Sequence, residues 1–247
     1  MSTLKTPFRY DFVGSFLRPE RLKKARADYE SGKIKQEELT AVEDDCIREL
    51  VAKVKELGYH VITDGEFRRS TWHLDFMWGF DGVEHEKDGG GVQFNGEVAD
   101  LEATYLVGKV KAKAHPFVEY FKFLKQFEDE NTVAKYTIPA PAQMFQQMII
   151  PANLETTRKF YQTDEELIED IAKGYRKVIK DLYDAGCRNV QFDDCTWGMF
   201  CDKNYWEARQ EDSVSLEEEA EKYLRLNNLA LENAPEDLVI TTHVSRG

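Results

Sequence analysis

The chain has 247 residues, and its 33 lysines and arginines against 46 aspartates and glutamates give a formal charge of −13 and a pI near 5.0. That balance argues against nucleic acid or an anionic membrane as the partner. A composition 42% apolar and 12% aromatic can bury a substantial core over this length and lacks the signature of disorder.

One large domain covering 1–247 is the natural reading. No run of about 18 apolar residues occurs, and the opening MSTLKTPFRYDF lacks the charged-then-apolar pattern of a signal peptide, so a cytoplasmic protein is expected. Cys46, Cys187, Cys195 and Cys201 are too few and too irregular for a disulfide framework, and none forms a C-x-x-C pair. Reduced, buried apolar thiols are the expectation, ahead of a zinc site built from these four alone.

Apolar runs and amphipathic helical stretches alternate along the chain, which is the signature of an α/β fold on a parallel sheet. The first short strand, Phe12-Val13, runs into Gly14-Ser15-Phe16, and a helical pattern follows from about Glu20. Leu39, Val42, Ile47, Leu50, Val51, Val54 and Leu57 mark one face of a helix that Gly58 closes. A strand, Val61-Ile62-Thr63, then ends in Asp64-Gly65-Glu66. From about Ser70 to Ala103 the pattern changes to Trp72, Phe76, Trp78, Phe80 and a Gly89-Gly90-Gly91 tract, which reads as an inserted loop or hairpin. Its aromatic residues either line a pocket or pack the insertion onto the rim, the second being preferred.

A strand at Tyr105-Leu106-Val107 precedes a helix from Pro116 to Phe127 with proline in its first turn. Tyr136-Thr137-Ile138 is the next strand. Thr163 with Glu166 opens a long helix that Gly186 stops, and Asn189-Val190-Gln191-Phe192 leads into Asp193-Asp194. Ser215 with Glu218 opens a helix to about Asn233, and Leu238-Val239-Ile240-Thr241 is the last strand, followed by His243. Glu217-Glu218-Glu219 sit in a first helical turn, where the macrodipole favours negative charge.

These are about six strand-then-helix units with polar or glycine-containing strand ends, the pattern of a (β/α)8 TIM-type barrel with its first six units present. An open doubly wound sheet is the alternative, but no G-x-G-x-x-G follows any strand. Six units leave a barrel with exposed edges. The expectation is therefore a native product longer by very roughly a third, with a partner chain, a homo-oligomer or strands hidden in the insertion as alternatives.

Four strand-end motifs together resemble the cobalamin-independent methionine synthase family. They are Val13-Gly14-Ser15-Phe16, Asp64-Gly65-Glu66-Phe67-Arg68-Arg69, Gln191-Phe192-Asp193-Asp194 and Thr242-His243-Val244-Ser245-Arg246-Gly247. The resemblance is closest to short single-barrel relatives matching the catalytic C-terminal half of the long enzyme. It implies that Gly14 and Ser15 hold the amino-acid substrate and that Glu66 and Asp193 grip the ammonium of homocysteine by charge-assisted hydrogen bonds. From the residues alone, either acid is as readily a partner of Arg68, Arg69 or Arg188.

The resemblance makes His243 a zinc ligand, with zinc lowering the pKa of the substrate thiol. It expects a cysteine where this chain has Ser245, a poor zinc ligand beside a thiolate, and it places a further Glu, Cys and proton-donating His later than Gly247. It implies a zinc-dependent transfer of methyl from methyltetrahydrofolate, in its polyglutamate form, to homocysteine. The stretch from Pro139 to Phe145 aligns where long relatives reach a tryptophan that stacks on the pterin. No tryptophan occurs there, Trp197 is the substitute candidate, and a corrinoid protein is an alternative donor. Rival readings are a decarboxylase of the uroporphyrinogen type and a truncated, non-catalytic binding protein.

Overall fold

A computed structural model describes residues 4–86, 91–94, 97–100, 103–201 and 215–245. Gly89, Gly90, Arg246 and Gly247, which figure in the motifs above, lie outside the described residues. In chain order the elements are α1 (Glu20–Glu30), α2 (Gln36–Glu56), β1 (Val61–Ile62), α3 (Leu74–Met77), β2 (Phe80–Glu86), β3 (Gly91–Phe94), β4 (Glu97–Asp100) and β5 (Ala103–Ala112). They continue as α4 (Pro116–Lys125), β6 (Val133–Ala134), β7 (Tyr136–Pro139), α5 (Pro141–Ile149), α6 (Pro151–Arg158), α7 (Asp164–Asp184), β8 (Asn189–Asp194), α8 (Thr196–Met199), α9 (Leu216–Leu229) and β9 (Val239–Val244).

The parallel wall has five members, the first reduced to an isolated bridge at Ser15, since Phe12 and Val13, expected as a strand, are not in one. Ser15 bridges Gly65 in parallel, β1 pairs with β6, β7 with β8 and β8 with β9. Lys135 joins β6 to β7 without breaking the wall, since its N–H donates to Ile62 O at 2.9 Å. Every residue of β1, β7 and β8 is buried, as expected of strands covered on both faces.

The expected third unit is a correction. Tyr105-Leu106-Val107 does form a strand, but it lies in β5, antiparallel to β2, with Leu106 opposite Val83. The burial of β5 alternates, with Thr104, Leu106 and Val110 inside. A one-faced strand of this kind suits a hairpin and not a barrel stave. The insertion therefore runs on to Ala112, with the β3–β4 hairpin at its tip, and the described parallel strands number five instead of six. The fold is α/β and TIM-like, and among the described residues β9 pairs only with β8.

The helices cover the wall for the reasons their sequences suggest. α7 buries Leu167, Ile168, Ile171, Val178, Ile179 and Leu182, each contributing roughly 1.5–3 kcal/mol of gross apolar burial. Thr163 Oγ1 accepts from Glu166 N and Ser215 Oγ from Glu218 N, both at 3.3 Å, so both N-caps form as expected. α9 ends at Leu229, short of Asn233, and the last strand extends to Val244, which places His243 inside it. Of the aromatic residues in the insertion, Phe76 and Phe80 are wholly buried with His115 and Tyr175. Trp78 is half-buried against His85, with its indole N–H donating to Thr104 Oγ1 at 3.0 Å.

Candidate active site

The C-terminal strand ends meet around a cavity of about 220 Å3 lined by Val13, Ser15, Glu66, Trp72, Asp193, Cys195, His243 and Ser245. Ser15, Glu66, Asp193, His243 and Ser245, singled out from sequence, thus share one space. Gly14 lies beneath, with φ +139° and a would-be Cβ 2.6 Å from Thr137 Cγ2, so only glycine brings the first strand this close. Thr63 Oγ1 donates to Gly14 O at 2.7 Å and Phe16 N to Gly65 O at 3.1 Å, which fixes Ser15 beside the Asp64-Gly65-Glu66 turn.

That turn is strained. Gly65 and Glu66 both take left-handed backbone, with φ 66° and 59°, a state that costs a non-glycine residue of order 1–3 kcal/mol. Asp64 Oδ1 holds it by accepting from Glu66 N at 2.9 Å, and Arg18 donates to Glu66 O and Arg69 O at 3.1 and 2.8 Å. The Glu66 side chain is locked as well. Its Oε1 accepts from Arg69 at 3.1 Å and from Thr137 Oγ1 at 2.9 Å.

Arg69 is fully buried and also donates to Thr137 O at 2.6 Å, with its guanidinium 4.5 Å from the Phe117 ring centroid. Burial works against its charge, but Glu66 heads the opposing influences and the net direction is upward. The open question of which arginine meets which acid is thereby settled: Arg69 takes Glu66, Arg68 takes Glu43 and Asp44, and Arg188 takes Asp237.

Among the described residues no arginine pairs with Asp193. Its Oδ1 accepts from Gln191 Nε2 at 2.7 Å and lies 3.4 Å from His243 Nδ1. Burial pushes its carboxyl up to about 7, with the negative charge of Glu66 adding to the rise and the Gln191 bond opposing it. The two-residue period of β8 separates it from Asp194, which faces away. Asp194 accepts from Thr196 N at 2.9 Å and from Asn227 at 3.1 Å, so its role is structural.

Cys46 and Cys187 are buried as expected, and burial pushes the Cys187 thiol up to about 12. Cys201 is exposed and Cys195 half-buried on the cavity wall, which corrects the expectation of four apolar core thiols. The Cys195 thiol is raised by burial and partly relieved by a hydrogen bond to Ser245. Trp197 packs on Phe200 at 5.4 Å and not on this cavity.

Trp72, for which packing on the rim was preferred, instead lines the cavity, and sequence reasoning assigned no site role to Thr137, Lys135 or Gln191. A lysine inside Val133-Ala134-Lys135-Tyr136 and a glutamine two residues before Asp193 were the available signals, because i and i+2 share a face.

Zinc needs three protein donors with a fourth position for substrate. Among the described residues no group of three or more His, Cys, Asp or Glu side chains could hold a metal. A serine hydroxyl stands beside His243 where a thiolate would be needed, so the described residues do not fit zinc.

Parallel strands whose C-terminal ends gather two carboxylates, an imidazole and hydroxyls around one cavity define a TIM-like α/β protein with an enzyme-type site. The model of the cobalamin-independent synthase catalytic domain matches residues 10–246, and the chain belongs to that family.

YxjH of Bacillus subtilis, described only as uncharacterized, is 37% identical over 243 residues, covering 98% of this chain and 63% of its own length. A methionine synthase of Saccharolobus solfataricus is 25% identical over 201 residues, or 76% of this chain and 55% of the relative. A Listeria monocytogenes structure, described as a candidate vitamin-B12-independent methionine synthase, superposes with a TM-score of 0.76 at 36% identity, covering 98% of this chain and 66% of that one. A B12-independent methionine synthase of Shewanella sp. W3-18-1, solved with selenomethionine, shares the fold with a TM-score of 0.59 at 21% identity. The chain thus spans about 63% of the length of its Bacillus relative. No helix among the described residues is long and apolar enough to cross a membrane.

Proposed function

We propose that this chain carries the amino-acid-binding part of a cytoplasmic methyltransferase that makes methionine from homocysteine, with a methyltetrahydrofolate polyglutamate as donor. The single observation carrying the reading is the convergence of Ser15, Glu66, Asp193 and His243 on one cavity in a chain of this family. The ammonium of homocysteine meets Asp193, whose Oδ1 is engaged by Gln191 and His243, so its other oxygen is left for the ligand. Glu66, already paired with Arg69, adds a second acceptor. The Ser15 hydroxyl and neighbouring backbone meet the carboxylate, and the side chain extends toward His243, Cys195 and Ser245.

In the transfer the sulfur–methyl bond forms as the donor nitrogen–methyl bond breaks. The thiol loses its proton and the donor nitrogen regains one. This chain contributes orientation and charge complementarity. Zinc is the group the family implies for the thiol, but the described donor set does not fit it, so the proposal rests on the amino-acid grip. Ser245 and the lack of a third donor among the described residues favour binding without turnover as the second reading.

Calorimetry with L-homocysteine and L-methionine tests the grip. One-to-one binding that is lost in Asp193→Ala, and absent for analogues lacking the amino group, is expected; no heat with either ligand sinks the reading. Methyl transfer from methyltetrahydropteroyltriglutamate then separates an enzyme from a binder.

A further inference from the structure

Between the first strand and β8 lies a buried polar chain that no part of the substrate grip explains by itself. Lys135 Nζ donates to Asp11 Oδ2 at 2.8 Å, to Phe12 O, and to Gln191 Oε1 at 2.8 Å. Its three donors therefore have three acceptors, which a lysine 2% exposed requires. This fixes the Gln191 amide in one orientation, because a flip would set its NH2 against the ammonium. The amide nitrogen then donates to Val13 O and to Asp193 Oδ1, both at 2.7 Å.

The first strand needs this support. Its one ladder contact among the described residues is the Ser15–Gly65 bridge, so residues 11–13 are tied to the wall by side chains from β8 and the β6–β7 junction. Gln191 thus holds two parts of the cavity wall in register: the segment carrying Ser15, and the carboxylate of Asp193.

We infer that Gln191, anchored by Lys135, is a positioning residue that sets the separation between the carboxylate-binding and ammonium-binding sides of the cavity, and so selects ligands with the α-amino-acid spacing. The ligand part rests on the substrate reading above; the clamp itself stands on geometry alone. Buried side-chain networks of this kind act through each other, so deleting one member changes the effect of the next.

The test uses Gln191→Met, which keeps volume, and Gln191→Glu, which keeps the acceptor for Lys135 but loses both donors. Hydrogen exchange read by mass spectrometry should rise at least tenfold over residues 11–16 in both variants, with α7 peptides unchanged as the control for folding. Unchanged exchange in that segment overturns the clamp, and so does loss of protection throughout Gln191→Glu, because a global collapse shows no local tether.

Calorimetry with L-methionine forms the second arm. Gln191→Met should weaken L-methionine binding at least tenfold and shrink the preference for it over its β-amino-acid homologue; unchanged binding or an unchanged preference overturns the positioning role. If the parent binds neither homocysteine nor methionine, the substrate reading fails by itself, and the exchange result still decides the clamp.

Discussion

Replacing Arg69 by methionine isolates what locks Glu66 in place. Arg69 and Glu66 are 1% and 3% exposed in their side chains and 3.1 Å apart, so the change leaves a buried carboxylate without its countercharge. Breaking a buried pair from one side costs about 3–5 kcal/mol, and Thr137 O loses its 2.6 Å donor, for about 1 kcal/mol more. The expected loss of roughly 4–6 kcal/mol is large against the 5–15 kcal/mol of a typical domain.

Glu66→Gln in the same chain removes the orphaned charge while keeping an acceptor for Thr137 Oγ1. The double variant should therefore recover at least half of the loss. Urea unfolding followed by tryptophan fluorescence and circular dichroism at neutral pH measures both. A single-variant loss below about 1 kcal/mol, or a double variant no more stable than the single, would refute the argument that the pair is held by mutual charge in a dry site.

Three further expectations follow from the same geometry. Gly14→Ala puts a Cβ 2.6 Å from Thr137 Cγ2 at φ +139°, and Thr137 cannot yield without releasing Glu66. A destabilisation of about 1–3 kcal/mol with loss of methionine binding is predicted, and an alanine variant that binds normally would be inconsistent with it. Burial, helped by Glu66, raises Asp193 to about 7, above its unfolded value. Its contribution to stability is then complete below the ordinary carboxylate range and lost as pH rises toward and through 7. Denaturation midpoints measured with chelator between pH 5 and 8 should fall with pH, and less steeply in Asp193→Asn; equal slopes would contradict this. Iodoacetamide should label exposed Cys201 first and spare buried Cys46 and Cys187, with Cys195 labelling slowly. Peptide mapping reads the order, and bound methionine should protect Cys195 alone.

The helices and most strands were legible in the sequence because their signals are local. The face Leu39-Ile47-Val51-Val54, the caps at Thr163 and Ser215 and the alternation from Asn189 to Phe192 each depend on spacing within a few residues. The site positions Ser15, Glu66, Asp193, His243 and Ser245 were singled out because four strand-end motifs together resemble a known family, and strand ends are where a parallel α/β wall exposes polar groups.

Pairing partners were not local, and there tertiary structure decided. Tyr105-Leu106-Val107 is a strand by composition, but only its alternating burial against Val83 and its neighbours makes it half of a hairpin. Arg69 instead of Arg68 meets Glu66 because two successive left-handed residues turn the chain back on itself after β1. Lys135 and Gln191 join the site because three chain segments, residues 11–13, the β6–β7 junction and β8, come within 3 Å of one another. Periodicity and capping write themselves into neighbouring residues, whereas a buried charge finds its countercharge only when distant strands close around it.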